Sequence, residues 1–312
     1  KVTHNPQRPF IENLDGLPFV DRTVDKSIDS SGQLYTDHLP MLVGRGCPFT
    51  CTYCSNESME KLYPNNNCYV RHMSPEKVIE EIEECKKDYK FPYIIFYDDI
   101  FASDYNWLQK FCELYIKHFT NLPFHCLLRP ELATSEKKLD LLYKAGCRNI
   151  KIGVESGSQK YRQEMLNRKM TNKTILKAAS LVRKYNMKLH IFMMVGLPSE
   201  SFLDMIKSLW LNLRIGADSV QTAIYYPLKN TPLYKYCIEH KIINEQRRKK
   251  MVVYTFDTCL DYGFIKRLLI ILLKWVNSGT PIIRRFRVSF IILFLRIQYR
   301  KWFKKEIDYK NR

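Results

Sequence analysis

Three cysteines lie close together near the start of the chain. Cys47, Cys51 and Cys54 occupy one short loop at C-x3-C-x2-C spacing, directly after an apolar run. Three thiolates within eight residues can hold a polynuclear iron-sulfur cluster. A closed structural zinc site needs a fourth ligand, and Cys68 and His72 form a poor second pair, although zinc stays open as an alternative. Three thiolates on a four-iron cluster leave one iron free, so the spacing predicts a metal centre that can bind a further ligand.

This cysteine motif, with Tyr53 before its last member, resembles the cluster motif of the radical S-adenosylmethionine (SAM) superfamily. Residues 153–158, which read Gly-Val-Glu-Ser-Gly-Ser, resemble a motif of the cobalamin-binding type of that superfamily. The resemblance implies a [4Fe-4S] cluster that binds SAM, reductive cleavage of SAM to a 5′-deoxyadenosyl radical, and an electron donor such as flavodoxin or ferredoxin. It also adds cobalamin as a further candidate cofactor.

The resemblance assigns SAM contacts to residues at the ends of later strands. Asp98 and Asp99 are adjacent, and since neighbouring strand residues face opposite ways, we expect only Asp98 to accept a hydrogen bond from the SAM amino group. Glu155 is expected to accept from the ribose hydroxyls, because a charged acceptor makes the stronger hydrogen bond. Gly196 would allow close approach of the adenosine, and Lys169 stands where the family carries a basic residue near the SAM carboxylate. The remaining expected cofactor contacts are Tyr53, Arg129 and Ser156.

The order of apolar runs predicts the scaffold. Six short apolar runs alternate with longer amphipathic segments, and they cover residues 41–43, 93–97, 125–128, 149–154, 189–195 and 219–225. This alternation indicates an α/β fold with a parallel sheet, and the resemblance implies a partial (β/α)6 TIM-type barrel. Helix starts are predicted near Ser74, Ser103, Ser135, Thr171 and Ser199. Because active sites of β/α barrels lie at the carboxyl ends of the strands, the cysteine loop and the later polar residues should share one mouth.

Composition divides the chain into three segments. Residues 1–38 are polar and rich in turn-forming residues, which indicates a linker arm, and residues 14–22 resemble the linker that follows the cobalamin domain in cobalamin-binding members. Residues 39–240 hold the six βα units and form the predicted core barrel. Residues 241–312 form a predicted basic, apolar, helical extension. Because the chain starts at Lys1 and carries no Asp-x-His-x-x-Gly segment, we expect either that a cobalamin domain has been cut away or that this member works without one.

The positive charge of the chain is concentrated in this extension. The formal net charge is +18, and residues 264–312 contain 13 Lys or Arg against two acidic residues. Arg285, Ser289, Arg296, Arg300 and Lys304 recur at steps of four or seven residues, which suits an interfacial helix on anionic lipid. A helical cap on the barrel, with Lys and Arg reaching out to water, is the equal alternative. No uninterrupted apolar run is long enough for a transmembrane span.

The composition and the motifs together lead to a functional expectation. With 46% apolar residues, ten cysteines and no secretory signal, we expect a globular, cytoplasmic protein, with membrane association through the extension as an option. The leading function is C-methylation or another modification of an unactivated carbon in a small-molecule or lipid-like substrate. An RNA-modifying enzyme of the methylthiotransferase kind and a non-catalytic iron-sulfur module are the alternatives. Nucleic acid is not an expected partner, because the charge lies among apolar residues and no RNA-binding domain is recognisable.

Overall fold

The structure is a computed structural model, and it describes residues 5, 8–22, 27–28, 34–35, 37–63, 69–101, 103–246, 260–262 and 264–278. Its centre is one sheet of six parallel strands that are neighbours in the same order as in the sequence. The sheet curls into a half-barrel, so the predicted α/β partial barrel is confirmed. The strands are β1 (Leu39–Met41), β2 (Ile94–Phe96), β3 (Phe124–Leu128), β4 (Cys147–Glu155), β5 (Lys188–Val195) and β6 (Ser219–Ile224).

The helices start where the sequence places capping side chains. Ser74, Asp104, Ser135 and Thr171 each accept a hydrogen bond from a backbone N–H in the first turn of the helix that follows. Such caps satisfy N–H groups that a helix leaves unpaired. Ser201, two residues after the predicted Ser199, caps the helix after β5. The helices are α1 (Ser55–Lys61), α2 (Pro75–Asp88), α3 (Tyr105–His118), α4 (Glu136–Lys144), α5 (Gln159–Glu164), α6 (Asn172–Lys184), α7 (Phe202–Ile215), α8 (Pro232–Glu239) and α9 (Phe264–Asn277).

The two faces of the half-barrel differ in burial. In β4, Ile150, Ile152 and Val154 are buried, whereas the intervening Lys151 and Gly153 are only half-buried. Strand β5 alternates in the same way. The run of apolar residues predicts strands covered on both faces, but among the described residues the inner face of the half-barrel is only partly covered. The site residues collect on this inner face.

The described part of the predicted linker arm packs against helix α2. Leu14 lies in a short 3-10 helix and is buried in the main core. The Asp15 carboxylate accepts a hydrogen bond from the backbone N–H of Ser74, directly before α2, at 2.7 Å. The Arg22 guanidinium lies 3.4 Å from the Glu81 carboxylate. Residues 14–22 therefore contact the rest of the fold at defined points through Leu14, Asp15 and Arg22.

Helix α9 lies against the last two strands of the half-barrel. Ile270 and Leu273 are buried in a cluster with Val195 of β5 and Ile224 of β6. For residues 264–277 the structure therefore shows the helical cap. The second basic, apolar stretch, residues 284–305, lies outside the described residues. None of the described helices has the length and apolar character that a bilayer span requires.

Candidate active site

The cysteine loop and the carboxyl ends of β2 to β5 surround one cavity of about 190 Å³. Cys47, Cys51 and Cys54 line it together, as the shared mouth of the barrel predicts. Three of the predicted cofactor contacts also line it, namely Tyr53, Arg129 and Glu155. The other lining residues are Asn56, Asp99, Leu127, Leu128, Lys151, Gly153, Arg168 and Phe192.

Two arginines and one backbone contact hold the cysteine loop. Cys51 is buried, and its Sγ accepts hydrogen bonds from Arg129 Nη1 at 3.4 Å and from Arg168 Nη1 at 3.6 Å. The Thr52 N–H donates to the Leu166 carbonyl oxygen at 3.3 Å, which joins the loop to the segment after α5. Two guanidinium groups beside one sulfur suit a thiolate, the form in which cysteine binds metal.

The other two cysteines are less buried than Cys51. Desolvation raises the pKa of Cys47 to about 11 and also raises the pKa of Cys54. Asn56 Nδ2 lies 3.7 Å from Cys54 Sγ and partly opposes the effect of burial. Both thiols therefore keep their protons near neutral pH until a metal displaces them, so metal binding here should release protons.

This set of sulfur donors fits a polynuclear cluster better than a single ion. In the part of the chain that the structure describes, no three His, Cys, Asp or Glu side chains converge closely enough to hold one metal ion. Zinc takes its ligands at about 2.0–2.3 Å around one point, whereas the thiolates of a four-iron cluster bind different irons. Cys68, the alternative zinc ligand, lies outside the described residues, and the His72 ring packs against Trp107 with centroids 5.2 Å apart.

Glu155 enters the cavity through an irregular end of β4. The register between β4 and β5 slips at Met193, which pairs with Glu155, and Glu155 has a positive φ of 69°. A residue other than glycine is strained in this region, and such strain collects at functional sites. Arg168 joins β4 to the cysteine loop. Its Nη2 donates to the Gly153 carbonyl oxygen at 2.5 Å, and its Nη1 donates to the Tyr53 hydroxyl at 3.2 Å.

The charges around Glu155 oppose the effect of its burial. Desolvation raises the pKa of the Glu155 carboxyl, and the Arg168 guanidinium, together with a hydrogen bond from Tyr53, acts in the opposite direction. Burial and the Glu155 carboxylate raise the pKa of Tyr53 well above its usual value, so this phenol stays protonated and can donate. A carboxylate that lies near an arginine and accepts a hydrogen bond from one phenol keeps acceptor sites for the hydroxyl groups of a ligand.

Asp99 lines the cavity and Asp98 does not, whereas strand alternation led us to expect the Asp98 side chain there. Asp98 is 1% exposed, and its carboxylate accepts hydrogen bonds from the backbone N–H groups of Gly44 and of Val43. Desolvation raises the pKa of Asp98 to about 7 despite these bonds. Strand β2 ends at Phe96, so the alternation of a regular strand no longer governs residues 98 and 99. Asp98 thus joins the start of the cysteine loop to the end of β2.

Arg168, rather than the predicted Lys169, is the basic residue of this segment that lines the cavity. Lys169 is exposed, whereas Arg168 is 5% exposed and touches Cys51. Contacts between this segment and the cysteine loop decide which side chain turns inward, and no local sequence pattern encodes them. Lys151 was not among the predicted site residues, although alternation along β4 from Glu155 places it on the same face.

Two further predicted contacts, Ser156 and Gly196, lie outside the cavity lining. Ser156 is buried, and its Oγ lies 3.4 Å from Ser208 Oγ of α7. Gly196 has a φ of 73°, and a Cβ on it would lie 3.0 Å from the side chain of Ile270 in α9. Gly196 therefore allows close approach of a helix, where the sequence predicts close approach of a nucleoside.

Known proteins show clear sequence similarity to this chain. Residues 41–209 match the radical SAM superfamily. The chain is 25% identical over 248 residues to an uncharacterized methyltransferase of Pyrococcus horikoshii, which covers 78% of this chain and 51% of that protein. It is 26% identical over 243 residues to an anaerobic magnesium-protoporphyrin IX monomethyl ester cyclase of Rubrivivax gelatinosus, which covers 75% of this chain and 41% of that protein. The chain thus spans about half the length of these relatives or less.

Solved structures share the fold. The radical SAM methyltransferase TsrM from Kitasatospora setae, with cobalamin and a [4Fe-4S] cluster bound, superposes with a TM-score of 0.55 at 15% identity, over 65% of this chain and 39% of that one. Coproporphyrinogen III oxidase from Escherichia coli, a radical SAM enzyme, superposes with a TM-score of 0.53 at 14% identity, over 76% of this chain and 51% of that one. The match over residues 41–209 covers more than half of the sequence. This chain belongs to the radical SAM superfamily.

Proposed function

We propose that this chain is the core of a radical SAM enzyme that modifies an unactivated carbon in a small-molecule or lipid-like substrate, with C-methylation as the leading reaction. The superfamily uses a [4Fe-4S] cluster and SAM, which together supply the reductive cleavage of SAM to a 5′-deoxyadenosyl radical. The observation that carries the proposal is the single cavity lined by Cys47, Cys51, Cys54 and Glu155. A one-electron donor such as flavodoxin or ferredoxin completes the proposed system.

In this proposal the three cysteines bind the cluster and two arginines balance its negative charge. Arg129 and Arg168 both donate to Cys51 Sγ. Arg129 also lies over the Phe49 ring, with Cζ 3.7 Å from the ring centroid, which fixes the direction of its guanidinium. Fixed positive charge beside a buried sulfur lowers the cost of holding an anionic cluster in a poorly solvated place.

Two carboxylates are proposed to orient SAM. Glu155, held beside Arg168, would accept from the ribose hydroxyls, and Asp99 would accept from the amino group in the place that the sequence analysis gave to Asp98. A hydrogen bond to a charged group contributes about 1.5–3 kcal/mol. Loss of either carboxylate should therefore weaken SAM binding by roughly 10- to 100-fold.

The names of the relatives support methyl transfer. One is the uncharacterized methyltransferase of Pyrococcus horikoshii, and another is a cytidylyl-2-hydroxyethylphosphonate methyltransferase of Streptomyces wedmorensis, 22% identical over 232 residues. The ester cyclase of Rubrivivax gelatinosus makes ring formation the second candidate reaction. Cobalamin is part of the proposal as methyl carrier, because residues 153–158 resemble the cobalamin-type motif and TsrM was solved with cobalamin bound.

The first test is the cleavage of SAM. The protein is purified without oxygen, loaded with iron and sulfide, reduced and incubated with SAM, and 5′-deoxyadenosine is measured by mass spectrometry. We expect deoxyadenosine from the parent and only background from Cys51→Ala. Cys112→Ala is the matched control, since Cys112 is a buried cysteine of α3 outside the cavity lining, and it should keep the activity. A cluster-loaded parent without deoxyadenosine would make an iron-sulfur binding module the better interpretation.

A second measurement separates methyl transfer from ring formation. The loaded protein is incubated with cobalamin, methyl-deuterated SAM and a small-molecule extract as the source of substrate. A methyltransferase that takes the methyl group from one SAM and the radical from another forms S-adenosylhomocysteine and deoxyadenosine in equal amounts, with deuterium in the product. A cyclase forms deoxyadenosine without S-adenosylhomocysteine, and that result would contradict the methylation proposal.

We also propose that the protein contacts a membrane surface. Helices α7 and α9 pack against each other and carry large exposed apolar side chains. Leu203 and Trp210 of α7 are 67% and 64% exposed, and Trp275 of α9 is 49% exposed. Leu203 and Trp210 lie seven residues apart, and so on one face of α7, and exposed apolar groups on one face mark interaction sites. The net charge of +18 favours an anionic surface. Of the two proposed substrate classes, small molecule and lipid-like, this surface supports the lipid-like class.

A further inference from the structure

Basic side chains lie on the inner face of the half-barrel, deeper than the cysteine loop. Lys151 lies four residues before Glu155 on β4, which places it roughly 13 Å further into the barrel along the strand. Lys151 is in register with His190 of β5, and His125 of β3 pairs with Asn149, one pleat deeper on β4. The Glu155 carboxylate thus lies at the mouth of the half-barrel. The Lys151 amine and the imidazole rings of His125 and His190 lie deeper inside it.

Lys151 has no acidic partner among the described residues. It is half-buried in the cavity lining, and its Nζ lies 5.2 Å from the centroid of the Tyr97 ring. Glu155, on the same strand, interacts with Arg168 instead. An ammonium group that is partly removed from water without a counter-ion is unfavourable, and a bound anion removes that cost. The position therefore suits an anionic ligand.

The two histidines add hydrogen-bonding groups without adding charge. His190 Nδ1 lies 2.6 Å from Ser219 Oγ, which fixes the direction of the ring. His125 stacks on Tyr93 with ring centroids 4.6 Å apart. Burial, reinforced by the positive charge of Lys151, lowers the pKa of each histidine to about 4. Both rings are neutral at neutral pH, so the positive charge at this depth comes from Lys151 and, one pleat deeper, from Lys188 of β5.

We propose that Lys151, with His125 and His190 beside it, binds an anionic group of the substrate, either a carboxylate or a phosphate. The inference rests on the proposed function, because it takes the cavity to be the active site. A small molecule held at Lys151 by its acidic end extends toward the mouth, where the cysteines and Glu155 would position the cluster and SAM. The substrate class is therefore a carbon compound with an acidic end, and a neutral lipid is excluded.

SAM also carries a carboxylate, but other basic residues stand closer to its expected place. Arg129 and Arg168 both contact the sulfur of Cys51, beside the position of the cluster. Lys151 lies deeper on β4 and contacts neither the cysteines nor their arginines. The arginines therefore suit the SAM carboxylate, and Lys151 is left for the second ligand.

The test is anion binding by the cluster-loaded, oxidised protein with 15N-labelled histidine. Inorganic phosphate and acetate are titrated separately, and the ring 15N shifts of His125 and His190 are followed by NMR. We expect a saturable shift with at least one anion, which distinguishes phosphate from carboxylate recognition. The dissociation constant should rise roughly tenfold in Lys151→Gln, because one charge-assisted hydrogen bond is lost. Lys151→Arg keeps the charge and should stay within about threefold of the parent.

Lys173→Gln is the matched control, because Lys173 is an exposed lysine of α6, and it should bind anions like the parent. Equal dissociation constants in the parent and Lys151→Gln, or no saturable shift with either anion, would overturn the inference. A Lys151→Gln variant that loses SAM affinity but binds both anions normally would also overturn it, since that result assigns Lys151 to SAM. A parent that shows the anion response but makes no deoxyadenosine contradicts the proposed function and leaves the anion site standing.

Discussion

Burial and hydrogen bonding compete at the Asp98 side chain. Two backbone N–H groups donate to its carboxylate and favour the charged form, but desolvation outweighs them and raises the pKa from 3.8 to about 7. A carboxyl group with a raised folded-state pKa stabilises the fold most at low pH, and this contribution is lost as the pH rises through about 7. Burial also raises the pKa of Glu200 to about 7, so its contribution to stability is likewise lost as the pH rises.

Asp98→Asn should flatten the pH dependence of the free energy of unfolding. We expect the parent to lose stability between about pH 4 and pH 7, by up to ~4 kcal/mol from this one group. Asn cannot ionise, so the variant should lose that component and keep the one from Glu200. Urea unfolding of the cluster-free protein at about pH 5 and about pH 8 measures the difference. The exposed Asp99→Asn serves as control, and an unchanged pH difference in Asp98→Asn would contradict the role of desolvation.

Glu155→Gln should separate SAM binding from cluster binding. The amide keeps the shape of the side chain but loses the charged acceptor, so the SAM concentration for half-maximal deoxyadenosine formation should rise at least roughly tenfold. The iron content should stay that of the parent, because Glu155 is not a cluster ligand in the proposal. Glu136→Gln is the control, since Glu136 is an exposed residue of α4 that pairs with Lys184. An unchanged SAM dependence in Glu155→Gln would remove Glu155 from the SAM site.

Sequence reasoning found the site residues that belong to a local motif and missed those that the tertiary structure selects. The cysteines lie in the loop after β1 and Glu155 ends β4, so their shared cavity was predictable from the barrel alone. The choice between Asp98 and Asp99 depends on a turn beyond the end of β2. Arg168 turns inward because Leu166, two residues before it, accepts a hydrogen bond from the cysteine loop, and that pairing joins distant parts of the chain.

The loop after β4 meets helix α7 at Gly157. A Cβ at this position would lie 2.3 Å from the Lys207 carbonyl oxygen and 2.3 Å from Ser208 Cα. The Gly157 N–H also donates to Ser208 Oγ at 2.7 Å. Both crowding atoms are backbone atoms of a helix, so they cannot give way without moving α7. The glycine is thus required by the close packing of a loop on a helix.

Gly157→Ala should therefore destabilise the fold by roughly 3 kcal/mol through overpacking. Gly16→Ala is the matched control, because nothing lies within 4 Å of a Cβ there. The control should change the free energy of unfolding by no more than about 0.5 kcal/mol. Denaturant unfolding of both variants measures the two values. Equal stability of the two variants would show that α7 can shift at little cost.

At the level of elements, hydrophobic runs and capping residues predicted most of the scaffold. All six predicted strands occur, although the first lies at Leu39–Met41 rather than at 41–43, and the helix after Ser74 begins where the Ser-Pro pair indicates. The half-covered inner face was not predicted, because the apolar runs obscured the alternation of β4, which places Asn149, Lys151 and Glu155 on that face. Closure of a barrel depends on how many strands pair, and no single strand encodes that number.

At the scale of the whole molecule, positive charge and an exposed apolar surface predict binding to anionic membranes. Trp210→Ala should lower the affinity for vesicles of phosphatidylglycerol and phosphatidylcholine roughly tenfold, because a large apolar side chain no longer enters the interface. Cosedimentation measures the binding. Ile116→Ala is the control, since Ile116 is a half-exposed apolar residue on α3, away from α7 and α9. Equal binding by the two variants, or no binding by the parent, would contradict the proposed membrane contact.

The packing of α9 on β5 and β6 has a consequence for synthesis of the chain. Helix α8 follows β6 but packs toward the cysteine loop, where the Leu233 N–H donates to the Thr52 carbonyl oxygen at 2.9 Å. Val195 and Ile224 therefore reach their final packing only after Ile270 and Leu273 have been synthesised. The ribosome adds these two residues several dozen residues after β6. At about 5–20 residues per second, the part of the last two strands that α9 covers stays exposed for several seconds, although Met205 of α7 already packs beside it. During that interval the nascent half-barrel offers chaperones an apolar surface that the finished protein hides.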